Sequence, residues 1–82
     1  MIIKLKAQES SCNSTPQSYS GQRYIRMFNN TAGAVLITQR DSGNNVLGSI
    51  SMVANTELVL SKNNTDTFEA NAAIKAVPVG AA

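Results

Sequence analysis

The chain predicts an all-β fold, a small antiparallel β-sandwich or barrel of about six or seven short strands with an extended N-terminal segment. Three observations carry this. Short runs of alternating apolar residues recur along the chain, at Ile2–Gln8, Gln22–Asn29, Ala34–Asp41, Val46–Val53, Glu57–Lys62, Thr67–Ala70 and Ile74–Val79. Clusters of Asn, Gly, Ser, Thr and Asp separate them at intervals of roughly 8–12 residues, the rhythm of turns in a small β domain. No stretch sustains the 3.6-residue period of a helix, because Gly, Asn and β-branched residues interrupt every such pattern.

Taken in order, Ile2-Ile3-Lys4-Leu5-Lys6-Ala7 reads as a first strand with Lys4 and Lys6 on one face and Ile3 and Leu5 on the other. Lysines suit an edge, where they discourage unwanted strand addition. Glu9 to Gly21 has no periodicity and is rich in Ser. It is a long loop for a domain of this size, and its one large apolar handle is Tyr19. Residues 1–22 therefore read as a strand and polar loop, an arm available to a neighbouring subunit, and 23–82 as the β domain.

Within that domain, Arg23-Tyr24-Ile25-Arg26-Met27-Phe28 is a strand with an arginine and large apolar residues on both faces. A strand with one wet face would segregate these residues, so the mixture points to a second face covered by another chain. Asn30-Thr31-Ala32-Gly33 turns the chain into Ala34-Val35-Leu36-Ile37-Thr38, and Asp41-Ser42-Gly43-Asn44-Asn45 turns it again. Segment 23–53 then reads as a three-stranded meander, with Leu58-Val59-Leu60 as its fourth strand. Thr65 to Glu69 fits either one helical turn or a short strand. Ile74 to Val79 closes the fold and, because Pro78 has no N–H, lies at an edge or ends there. The predicted buried face is Ile25, Met27, Val35, Ile37, Ile50, Met52, Leu58, Leu60 and Ile74.

Composition bounds the function. Of the 82 residues, nineteen are Ile, Leu, Val or Phe, close to the level of roughly 20% below which chains fail to fold. Domains this small bury only about 60% of their unfolded surface and draw on disulfides, metals or association. Cys12 is alone and there is no His, so neither an internal disulfide nor an ordinary zinc site is available. Association is what remains. Cys12 itself reads as a passive thiol, with no basic cluster nearby to lower its pKa.

The net charge of +2 is spread over seven scattered Lys and Arg, without the basic stripe of a direct nucleic-acid binder. No apolar run approaches the ~20 residues of a membrane span. Met-Ile-Ile-Lys-Leu-Lys lacks a signal peptide's continuous apolar stretch, so no leader is expected. Without His, the Ser-His-Asp and Cys-His arrangements are excluded. Glu9, Asp41, Glu57, Asp66 and Glu69 have no spacing that predicts a carboxylate pair, and no Gly-rich phosphate loop is present. The expectation is a protein with no catalytic residues and no cofactor. The Asn-x-Ser/Thr triplets at Asn13, Asn29 and Asn63 read as accidents of an Asn-rich chain.

From Arg23 to Gly80 the chain resembles small virion structural proteins of marine tailed phages. The likeness is carried by Arg26-Met27-Phe28-Asn29-Asn30-Thr31, Val35-Leu36-Ile37-Thr38, Gly48-Ser49-Ile50, Thr65 to Ala70 and Ala73 to Val79. The resemblance implies a β domain present in many copies on a capsid or tail, assembled in the host cytoplasm. Its expected role is capsid decoration, the alternatives being a tail, neck or sheath accessory subunit or an outward-facing carbohydrate- or surface-binding module. Its partners would be major capsid or tail proteins and further copies of itself, with no membrane. The residues expected to meet them are Ile2, Ile3, Leu5, Tyr19, Arg23, Tyr24, Arg26 and Phe28.

Overall fold

The fold is all-β and antiparallel, in two packed sheets. A computed structural model describes residues 3–19 and 21–81. Its strands are β1 (Ile3–Leu5), β2 (Ser10–Cys12), β3 (Tyr24–Phe28), β4 (Val35–Arg40), β5 (Val46–Met52), β6 (Glu57–Ser61), β7 (Thr67–Ala70) and β8 (Ile74–Ala81). One sheet runs β1-β8-β3-β6 with β2 also on β8; the other runs β5-β4-β7.

β1 and β2 are two halves of one edge. Leu5 lies opposite Val79 and Ser10 opposite Ala76, so Ala7–Glu9 bulge out across from Val77. Pro78 explains the break. The Lys6 amide donates to the Pro78 carbonyl at 2.9 Å, but Pro78 has no N–H to return the bond, and the chain leaves the ladder until Ser10. Proline is tolerated in a sheet where the ladder bulges. The expectation that Pro78 marks an edge or an end is thereby corrected: β8 runs on to Ala81 and lies between β3 and the β1/β2 edge.

Past β2 the chain changes sheet. Gln17 exchanges two backbone bonds with Phe68 (3.1 and 3.0 Å), and Ala70 donates to the Asn13 carbonyl at 2.8 Å. This segment covers the free edge of β7 and closes one side of the sandwich. Residue 22 is thus not a packing boundary, because residues 3–19 contribute to both sheets and place Cys12 and Tyr19 in the core.

The meander expected over 23–53, with Leu58–Leu60 as its fourth strand, is not formed. β3 pairs with β6 and β8, whereas β4 pairs with β5 and β7. Asn29 is the reason. Its fully buried amide donates to the carbonyls of Gly33 (2.9 Å) and Met52 (2.7 Å), and its Oδ1 accepts from the Thr31 amide at 2.9 Å and hydroxyl at 2.6 Å. Its backbone bonds Thr56 and Asn55 at 2.9 and 2.8 Å. Two of the crossings between sheets, Asn29–Ala34 and Val53–Thr56, are stitched together by one side chain. A tight hairpin at either place would forfeit those bonds, and burying such groups unpaired costs about 1–3 kcal/mol each.

Thr67–Ala70 is a strand, which resolves the choice between strand and helical turn. Asn71 extends its pairing by donating to the Leu36 carbonyl while its Oδ1 accepts from the Leu36 amide. In the β4–β5 turn, Asn44 takes the positive φ (64°). The Asp41 carboxylate accepts from the Asn45 and Gly43 amides at 2.9 Å each, and these bonds, that from Asn45 foremost, hold its pKa below the usual range.

The core contains Ile25, Met27, Val35, Ile37, Met52 and Ile74 as expected, with Leu58 and Leu60 half-buried against it. Ile50 is the exception, 43% exposed. β5 is the outermost strand of its sheet and β6 of the other, and between them the sandwich is open. A cleft of about 190 Å³ there is lined by Ile37, Gly48, Ile50, Leu60 and Phe68. Gly48 has no side chain to fill the gap. Cys12, Tyr19, Phe68, Ala70 and Ala76 complete the core, while Val77 and Val79 are buried on the opposite face of β8.

Candidate docking surface

The outer face of the larger sheet gathers four of the residues singled out from sequence. Alternation along β3 sends Ile25 and Met27 inward and Tyr24, Arg26 and Phe28 outward. Pairing then builds rows across the sheet. Val79 lies opposite both Leu5 and Tyr24, Val77 and Val59 flank Arg26, and Lys75 and Glu57 flank Phe28. Leu5 is 67% exposed, Tyr24 51% and Val59 48%, with Val77 and Val79 packed beneath their neighbours.

The Arg26 guanidinium binds the Glu57 carboxylate, through Nε at 2.8 Å and also through Nη2, and lies 5.7 Å above the Phe28 ring. The pair is solvent-accessible, so it contributes at most about 1 kcal/mol, and exchanging Glu57 for a partner's carboxylate costs little. The Ala7–Glu9 bulge borders an open groove of about 740 Å³ that Leu5, Arg26 and Val77 also line. Beside the Arg26–Glu57 pair this largely apolar face carries the exposed Lys75 next to Phe28, and Lys6 and Glu9 line the groove.

The remaining predicted residues are elsewhere. Tyr19 is 7% exposed and its hydroxyl donates to the Ser11 carbonyl at 3.2 Å. As a handle on a loop laid over a partner it is corrected: it anchors the loop to its own core, and burial raises its pKa. Ile3 is described by its backbone, opposite Ala81 on β1, and Ile2 lies outside the described residues. Arg23 lines a polar cleft of about 580 Å³ at the open side, together with Gln39, Leu47, Lys62 and Asp66. Lys62 is 5% exposed and donates to the Asn63 carbonyl at 3.3 Å; burial lowers its pKa and Asp66 partly offsets this. Asp66 accepts from the Gln39 side chain and the Asn63 amide, both at 3.1 Å.

Cys12 is fully buried, and burial raises its pKa, leaving a thiol rather than a nucleophilic thiolate. The full burial of Asn29 likewise removes it as a glycosylation acceptor. Among the described residues, no group of three or more His, Cys, Asp and Glu is placed to hold a metal ion, and no helix is long and apolar enough to cross a membrane.

Sequence reasoning missed Val59, Val77 and Val79. Their alternation with inward residues was visible, but their union with Tyr24 depends on β3 pairing with β6 and β8, which no local signal encodes. No known protein family, characterised protein or solved structure matches this chain.

Proposed function

We propose that this chain is a non-enzymatic virion structural protein that decorates and stabilises a capsid, docking through the outer face of its larger sheet. The observation that carries the reading is that face itself, where Leu5, Tyr24 and Val59 are exposed around the Arg26–Glu57 pair. The domain's size adds support. A core of this extent is marginal alone, and binding to the folded state adds stability by mass action. A protein carried by a lattice draws durability from its neighbours.

The test is the composition of purified particles. A decoration protein is present at a copy number proportional to the major capsid protein, and a tail, neck or sheath subunit at a much smaller one. Tyr24→Asp and Val59→Asp place a charge on an exposed docking face and should abolish retention while leaving the melting curve of the free chain unchanged. Absence of the chain from particles would reject the reading, and normal retention of both variants would reject this face.

A further inference from the structure

We infer that β5 is a self-recognition strand, and that two copies of this chain pair antiparallel through their β5 edges about a twofold axis at Ser49. The inference goes beyond the virion reading and does not depend on it.

Edge strands in soluble proteins are blunted by charges, prolines or brevity. β5 is seven residues long, Val46-Leu47-Gly48-Ser49-Ile50-Ser51-Met52, with no charge and no proline. It pairs with β4 on one side only, and among the described residues no strand lies on its other side. Six of its seven residues are exposed. Among the described residues, Val46, Leu47 and Ile50 are the largest group of large exposed apolar side chains on one strand, and Val53 follows directly after it. The opposite edge of this sheet is covered by residues 13–17 of the chain itself. Within this sheet, among the described residues, β5 is the uncovered edge.

The occupant follows from the register. In an antiparallel ladder, directly opposed residues share the same hydrogen-bonding parity, so identical strands must centre on a residue rather than between two. Centring on Ser49 uses the whole strand. Ile50 of each copy then falls opposite Gly48 of the other and Leu47 opposite Ser51, so these two large side chains each meet a small one, while Val46 falls opposite Met52. The space beside Gly48 is open, with nothing within 4 Å of where a Cβ would stand.

Charge does not oppose this arrangement. The cleft beside Leu47 holds Asp66 together with Arg23 and Lys62, and Glu57, past the Met52 end, is bound by Arg26, so neither end of β5 presents a block of one sign. Interfaces at the low end of the stable range bury ~1,200 Å², and for a contact of that class a dissociation constant on the order of micromolar is expected. A twofold contact of this kind closes on itself and does not propagate.

Sedimentation equilibrium of the full chain tests this. The native chain should behave as a reversible monomer–dimer system. Ser49→Lys and Ser49→Glu each place like charges opposite one another at the axis and should be monomeric, and an equimolar mixture of the two should restore the dimer. Ser49→Cys should form an intermolecular disulfide under mild oxidation, a readout that stands even if a charged variant fails to fold. A native chain still monomeric at about millimolar concentration, a mixture that stays monomeric, or open-ended oligomers in place of dimers would each overturn the inference.

Discussion

The amide of Asn29 donates to the main-chain carbonyl of Met52 at 2.7 Å, joining the end of β3 in one sheet to the end of β5 in the other. The same side chain bonds Gly33 and Thr31, so one residue organises the β3–β4 and β5–β6 crossings between the sheets.

Replacing Asn29 by Ala should therefore cost about 1–3 kcal/mol, since the buried Met52 carbonyl loses its side-chain donor and the Thr31 amide its acceptor, while the Gly33 carbonyl keeps the Thr31 hydroxyl. Urea unfolding measures it. A loss below about 0.5 kcal/mol, the ordinary range for surface changes, would mean that the crossings are held by their backbone bonds alone.

Two isoleucines that face each other across β4 and β5 should behave differently. Ile37 is 2% exposed and Ile50 43%. Ile37→Ala should cost about 2–5 kcal/mol, as for other buried aliphatic truncations. Ile50→Ala, measured on dilute monomer, should cost less than about 1.5 kcal/mol, because much of its surface is already wet. Equal losses would show that the open side is closed in solution.

Stability should fall above pH 9. In the unfolded chain the Cys12 thiol ionises near pH 9 and the Tyr19 phenol near pH 10, whereas burial keeps both protonated in the fold. The folded state then binds more protons, so their contribution is whole below pH 9 and is lost as the pH rises beyond it. Lys62 acts in the opposite sense, its buried ammonium being relieved as the pH approaches the ordinary lysine value. Cys12→Ala should flatten the alkaline decline, and Lys62→Met should steepen it. Curves parallel to the native one would contradict these assignments.

Deleting residues 1–21 should unfold the domain. The deletion removes Cys12 and Tyr19 from the core and leaves one side of β8 and the outer edge of β7 unpaired. Circular dichroism should show loss of cooperative unfolding. A cooperative transition in the truncated chain would instead make the N-terminal segment a separable arm.

Much of the candidate docking face was legible before any fold was known, because alternation assigns Tyr24, Arg26 and Phe28 to one side of β3 whatever its neighbours are. Leu5 was likewise legible as the residue facing away from Lys4 and Lys6. Tyr19 was misplaced for want of any periodic signal. In a Ser-rich loop its direction depends on a positive φ (55°) at Tyr19 itself and on a bond to Ser11, neither of which composition foretells.

By itself the sequence determined that this is an antiparallel β protein, where most of its strands begin and end, and which side of β3, β4, β5, β6 and β8 faces inward. Those properties are local, governed by a two-residue side-chain period and by Asn, Asp and Gly in turns. Only the tertiary structure decided which strands are neighbours. Pairing is a contest among distant segments of similar pattern, and here the buried bonds of Asn29 and the missing N–H of Pro78 favoured two crossed sheets over a meander. The same outcome left β5 as an edge and exposed Ile50, because whether an inward-facing residue is covered depends on what lies across from it.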